Sequence, residues 1–163
     1  MRYEAEHLLI RSGHVGFYFE GEETLILGFR PTQEASAAIG NSEEIIEWLK
    51  DKKPIAGTLH NDTFAFLRAY NLSREGLRTH VWQIEVSVSE DDFARIHQQA
   101  LGWYENGTEF QYAFPAEELP PDRDNCATFP RRLGLPLYND IGLIKEYIRI
   151  LEQQGERWQP QGD

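Results

Sequence analysis

The single cysteine of the chain, Cys126, lies in RDNCATFPRRLGLP (residues 123–136), and a histidine, His14, stands just ahead of an apolar run in RSGHVGFYFEG (residues 11–21). A thiol and an imidazole are the two groups that thiol-based acyl chemistry requires. The imidazole takes the proton and the thiolate attacks a carbonyl carbon. A lone cysteine is equally a small hydrophobe that fills a core, so the residue type alone leaves both readings open. The local context favours chemistry. Asp124 and Asn125, just before Cys126, are residue types that cap helices. A cysteine in a first helical turn sits among outward-pointing N–H groups and the positive helix end, which favour thiolate and can steady an oxyanion. Pro130 removes an internal hydrogen bond about a turn later. The segment is therefore expected to start late, to kink or to tighten to a 3₁₀ turn. Gly134 is placed to end it, with Phe129 and Leu133 as core contacts.

Five histidines could supply the base: His7, His14, His60, His80 and His97. His97 falls inside a helical pattern and reads as a surface or satisfied residue. His80 precedes a strand pattern and could serve either role, and His60 lies in the loop-like GTLHND. His14 has the most suggestive setting. Strand periodicity places His14, Gly16 and Tyr18 on one face, and a glycine beside a histidine leaves room for a substrate or a second chain.

Composition narrows the classes of partner. The chain has 163 residues, 27 acidic and 16 basic, for a formal net charge of −11. It is long enough for one domain with its own core. Its charge repels nucleic acid, so no nucleic-acid partner is expected. One cysteine can form neither an intrachain disulfide nor a multi-cysteine zinc site. MRYEAEHLLIRSG lacks an apolar core of signal-peptide length, and no apolar run is long enough for a membrane span. These features predict synthesis in a reducing cytosol. Export by a route without a cleaved signal stays open.

The elements that must position His14 and Cys126 follow from periodicity. EHLLIRSGHVGFYFEG and TLILGFRP read as the two strands of a hairpin, with EGEE as the turn and Pro31 as the close. Residues 41–52, NSEEIIEWLKDK, read as a helix capped by Asn41 or Ser42, and NDTFAFLRAYNLS as a second, short helical segment. THVWQIEVSVS alternates as a strand, with one slip among Val81, Ile84, Val86 and Val88. SEDDFARIHQQALGWYENG reads as a helix capped by Ser89, with Phe93, Ile96 and Leu101 as its stripe. TEFQYAF reads as a short strand, PAEELPPDRD as a proline-rich loop leading to Cys126, and YNDIGLIKEYIRILEQQG as an amphipathic helix. The expected fold is α+β, with helices packed on a small antiparallel sheet. Residues 1–155 form the single domain and 156–163 a loose tail.

The ordered pair of motifs resembles the circularly permuted NlpC/P60-like, papain-fold proteins. GHVGFYFEGEETLILGFRP is similar to their histidine hairpin, and DNCATF…LGLP to the motif around their cysteine. The resemblance covers about residues 10–31 and 123–137, and histidine before cysteine is the permuted order. It implies a permuted papain-like core with Cys126 as nucleophile and His14 as base. It also implies a cysteine hydrolase that cleaves an amide bond in a peptide or in peptidoglycan, with no cofactor and no metal. Members of the group also include acyltransferases and phospholipases acting on lipids, and the alternative readings are acyl transfer or thioester cleavage on lipid or protein acyl groups, or a catalytically inactive binding module of the same fold. The small acidic chain looks most like bacterial effectors, which implies an immunity or chaperone protein as a partner. The family often carries a polar residue that orients the imidazole on the strand after the histidine strand. Here that region holds Leu27, Gly28 and Phe29, and none of them can orient a ring, so either a backbone carbonyl or water holds His14, or a residue from elsewhere does, or the site is a Cys126/His14 dyad. An acidic cleft would suit a substrate carrying amines; Tyr18, Trp103, Tyr104 and Tyr112 are candidates to line it, although each reads more readily as a core or surface residue.

Overall fold

Consecutive positions of the strands at 13–18 and 27–31 are buried, so that alternate residues fill cores on both faces of one sheet. The computed structural model describes residues 2–7, 13–38, 55–76, 80–114, 119–135 and 144–160. Seven strands are present among them: β1 (Arg2–His7), β2 (Gly13–Tyr18), β3 (Leu27–Pro31), β4 (Ile55–Asn61), β5 (His80–Glu85), β6 (Phe110–Tyr112) and β7 (Glu156–Arg157). They form a single sheet in the order β6-β4-β3-β2-β1-β5-β7, and every pairing is antiparallel. Four helices accompany it among the described residues: α1 (Gln33–Ala38), α2 (Thr63–Arg74), α3 (Glu90–Glu105) and α4 (Ile144–Gln154). The α+β class with an antiparallel sheet is as the sequence predicts.

The period of two sorts the side chains. Val15, Phe17, Phe19, Leu27 and Phe29 join Ile96 and Ala100 of α3 and Tyr147, Ile148 and Leu151 of α4 in one core. Tyr18 and Ile26 face the other way, onto Phe66 and Ala69 of α2 and onto Val81 and Trp158. The slip in β5 has the same origin. Val81 lies in the second cluster while Trp82 and Ile84 pack against the first, because this strand is covered on both faces.

Several details differ from the sequence expectation. EHLLIRSGHVGFYFEG is not one strand: β1 and β2 are separate and pair from Arg2↔Tyr18 to His7↔Gly13. The chain continues into structure just past residue 155. Glu156 and Arg157 pair with Gln83 and Trp82, Trp158 N–H donates to the Val81 carbonyl at 2.9 Å, and the indole is buried edge-on against Tyr70. The loose tail expected from residue 156 is thus corrected for residues 156–158, since burial of a large aromatic ring outweighs the polar composition around it; residues 161–163 lie outside the described residues. The Ser89 cap is present: its Oγ accepts from Asp92 N–H at 3.2 Å. The helix expected over 41–52 lies outside the described residues.

Candidate functional site

Cys126 is presented by a short turn whose geometry its neighbours dictate. Asn125 Oδ1 accepts from the N–H groups of Ala127 (2.9 Å) and Thr128 (3.1 Å), and Thr128 Oγ1 accepts from Asn125 N–H at 3.0 Å. This reciprocal cap makes Cys126 the first residue of the turn. One α-type bond, Phe129 N–H to Asn125 C=O at 3.0 Å, closes it. The chain then tightens into a 3₁₀ segment, Phe129–Leu133, and Gly134 ends it at φ 84°. Pro130 accounts for the tightening, because its nitrogen has no hydrogen to continue the α pattern. Beneath the turn, Asp124 is fully buried. It accepts from Thr128 Oγ1 at 3.0 Å, from Arg131 Nε at 2.9 Å and from Arg132 Nε. Phe129 stacks on Phe29 of β3, with ring centroids 4.2 Å apart. A charge cluster on one side and an aromatic stack on the other therefore clamp the cysteine against the sheet.

His14 projects from the start of β2 and makes two contacts. Its Nε2 lies 2.5 Å from Asp62 Oδ2, and its ring faces the Cys126 thiol closely enough for the two groups to interact electrostatically. With Nε2 committed to the carboxylate, Nδ1 is the nitrogen left for sulfur. Cys126 and His14, from opposite ends of the chain, therefore meet. Cys126 is buried, at 3% exposure, in the wall of the cavity that His14 also lines.

Asp62 supplies the orienting group that β3 lacks, and Gly28 explains how. Asp62 follows β4, and β4 lies beyond β3 from β2. Its carboxylate must cross β3 to reach His14, and it crosses at Gly28. A Cβ at that position would stand 1.7 Å from Asp62 Oδ2 and 2.7 Å from His14 Nε2. Only a residue without a side chain admits the contact. Asp62 also accepts from Arg30 Nε at 2.9 Å. It escaped the sequence reading because an aspartate before a helix reads as a cap. In fact the Asp62 side chain makes no cap bond, and Asn61 Oδ1 accepts from Thr63 N–H instead. The available signal was a glycine inside a strand, at the position where the orienting residue was expected.

Electrostatics follow from these contacts. Burial pulls the His14 imidazole down. The facing Cys126 charge and the hydrogen bond with Asp62 outweigh it, and the value rises to about 9. Burial pushes the Asp62 carboxyl up, but the His14 and Arg30 contacts hold it below the ordinary carboxylate value. Burial, together with the Cys126 charge, raises the Tyr112 phenol, which therefore stays protonated at neutral pH.

Comparison with protein-family models, with curated proteins and with solved structures finds no match.

The remaining sequence candidates separate cleanly. His60 lines the cavity, its Nε2 3.2 Å from the Pro31 carbonyl. His80 Nδ1 is bonded to Ser73 Oγ at 3.1 Å. His97 lies 2.9 Å from Glu22 and stacks on Phe93. Of the four candidate aromatics, Tyr112 lines the cavity. Tyr18 is buried and donates to Gln83 Oε1 at 2.8 Å, while Trp103 and Tyr104 pack against the core. The space beside Gly16 is taken by Phe66 of α2, 2.7 Å from where a Cβ would stand, and not by a substrate. The cavity, of about 980 Å³, has no acidic residue in its described lining, which includes Arg30 and Arg68. Among the described residues the cleft is thus not acidic, and the nearby Asp62 is paired with His14 and Arg30.

Proposed function

We propose that this protein is a cysteine hydrolase of permuted papain-like architecture that cleaves an amide bond in a peptide, with Cys126 as nucleophile, His14 as acid and base, and Asp62 as the residue positioning His14. The observation that carries this reading is the histidine held between the only thiol and a buried carboxylate. A packing cysteine has no need of such an arrangement. The chain order, histidine before cysteine, and the antiparallel sheet between them support the architecture.

The chemistry runs as follows. With His14 raised to about 9, imidazolium faces the sulfur at neutral pH. The thiolate attacks the carbonyl carbon and the oxygen gains negative charge. The Cys126 N–H, at the first position of its turn, and the Tyr112 hydroxyl in the same cavity are the donors placed to stabilise that oxyanion. The His14 proton passes to the leaving amine. Neutral His14 then takes a proton from water, which attacks the thioester and releases the acid. Asp62 stays ionised throughout and fixes the ring.

Peptide cross-links or stems of bacterial cell wall are the proposed natural substrate, in keeping with an exported effector. Incubation of isolated stem peptides with the protein, followed by mass spectrometry, tests this. The wild type should yield fragments with a new carboxyl and a new amine. Cys126→Ala and His14→Ala should yield none, and Asp62→Asn should lose up to about 10⁴-fold. Cleavage that survives Cys126→Ala would refute the proposal. One observation favours a second reading, acyl transfer: Phe64, 77% exposed, stands in the cavity wall, where an apolar acyl chain could lie. Capture of the acyl group by an added amine in preference to water would favour it.

A further inference from the structure

The cavity around Cys126 opposes the charge of the molecule that holds it. The chain carries a formal net charge of −11, yet the described lining offers His14, Arg30, His60 and Arg68 and no carboxylate. Part of this positive charge is already balanced. Asp62 is shared between His14 and Arg30, and Arg30 gives it only Nε, so among the described residues the two terminal nitrogens of the guanidinium remain for another partner. Arg68 is exposed on α2, and no carboxylate pairs with it among the described residues. Helical spacing places Phe64, Arg68 and Leu72 along one side of α2, with Ala65 and Ala69 beside them, and all five line the cavity. The wall is therefore a cation set within an apolar stripe.

Resting on the hydrolase reading, we propose that this cavity selects acidic peptides, with Arg68 and the free end of Arg30 binding an aspartate or glutamate side chain next to the bond cleaved and Phe64 packing against its apolar neighbour. Arginine suits this task because its planar fork matches a carboxylate. The net negative charge of the chain disfavours such a peptide in general, so a cation-lined cavity gives it a preferred site and selectivity results.

The test uses the intact protein with two alkylating probes of nearly equal size, anionic iodoacetate and neutral iodoacetamide, at pH 7. The readout is the ratio of their rates at Cys126, compared with the same ratio for 2-mercaptoethanol. The ratio should be about tenfold higher for the protein, the size of one charge-assisted contact. It should fall as salt is added. Arg68→Gln should lower it, Arg68→Lys should largely retain it and Arg68→Glu should invert the preference. As a substrate test, peptidyl-glutamate coumarylamide should be cleaved with a higher kcat/KM than its glutamine isostere, and Arg68→Gln should narrow that difference. A ratio equal to that of 2-mercaptoethanol and unmoved by Arg68 overturns the acidic-peptide proposal while fast iodoacetamide labelling leaves the hydrolase reading standing. If neither probe reacts faster at Cys126 than at 2-mercaptoethanol, both fall together.

Discussion

Cys126 and His14 were legible as single residues because each is rare and set in a distinctive local context. Asp62 was not, because its role is wholly tertiary: nothing local in GTLHNDT distinguishes a carboxylate that caps a helix from one that crosses a strand. The state of His14 gives the prediction at this scale. Its value rises to about 9 because the Cys126 charge and the Asp62 hydrogen bond outweigh burial. The imidazolium, which in the proposed mechanism protonates the leaving amine, therefore persists through neutral pH and is lost as pH rises through about 9. The alkaline limb of kcat/KM should fall there, well above the ordinary histidine value of about 6.5. A limb near 6.5 would show that His14 is not held in this way. Because the two groups act as one unit, the limb belongs to the pair.

At the scale of elements, the β2–β3 hairpin, α2, the Ser89-capped α3 and the 3₁₀ segment ended by Gly134 follow from period, capping and turn chemistry. The two-residue β7 does not, since tertiary pairing and the burial of Trp158 create it. Two elements carry predictions. Gly28 lets the Asp62 carboxylate cross β3, so Gly28→Ala should displace Asp62 or His14 and lower kcat by at least about tenfold, read by steady-state kinetics beside a near-unchanged far-ultraviolet circular dichroism spectrum. Wild-type kcat in Gly28→Ala would count against the crossing. The Cys126 turn stands on Asp124, which is fully buried between Arg131 and Arg132. Asp124→Ala leaves both guanidinium groups short of their partner and should cost about 3–5 kcal/mol in denaturant unfolding. A loss below about 1 kcal/mol would mean that the cluster does not brace the turn.

For the whole molecule, the α+β class and the presence of one antiparallel sheet were legible from strand and helix periods. The sheet order was not, because it depends on which strands meet across long loops. That order joins the first part of the chain to the last: β2 brings His14, the loop after β4 brings Asp62, and the extension of β6 through the Tyr112↔Asp124 bridge brings Cys126. No helix among the described residues is long and apolar enough to cross a membrane. The central claim is that this topology assembles an activated thiol. Its most direct test is the rate of iodoacetamide labelling of Cys126 against pH, followed by intact-protein mass spectrometry, for the wild type and His14→Ala. The account predicts rapid labelling of the wild type at neutral pH, and a profile for His14→Ala that moves toward that of a free thiol, rising only as pH approaches about 8.5. Two superimposable profiles would contradict it.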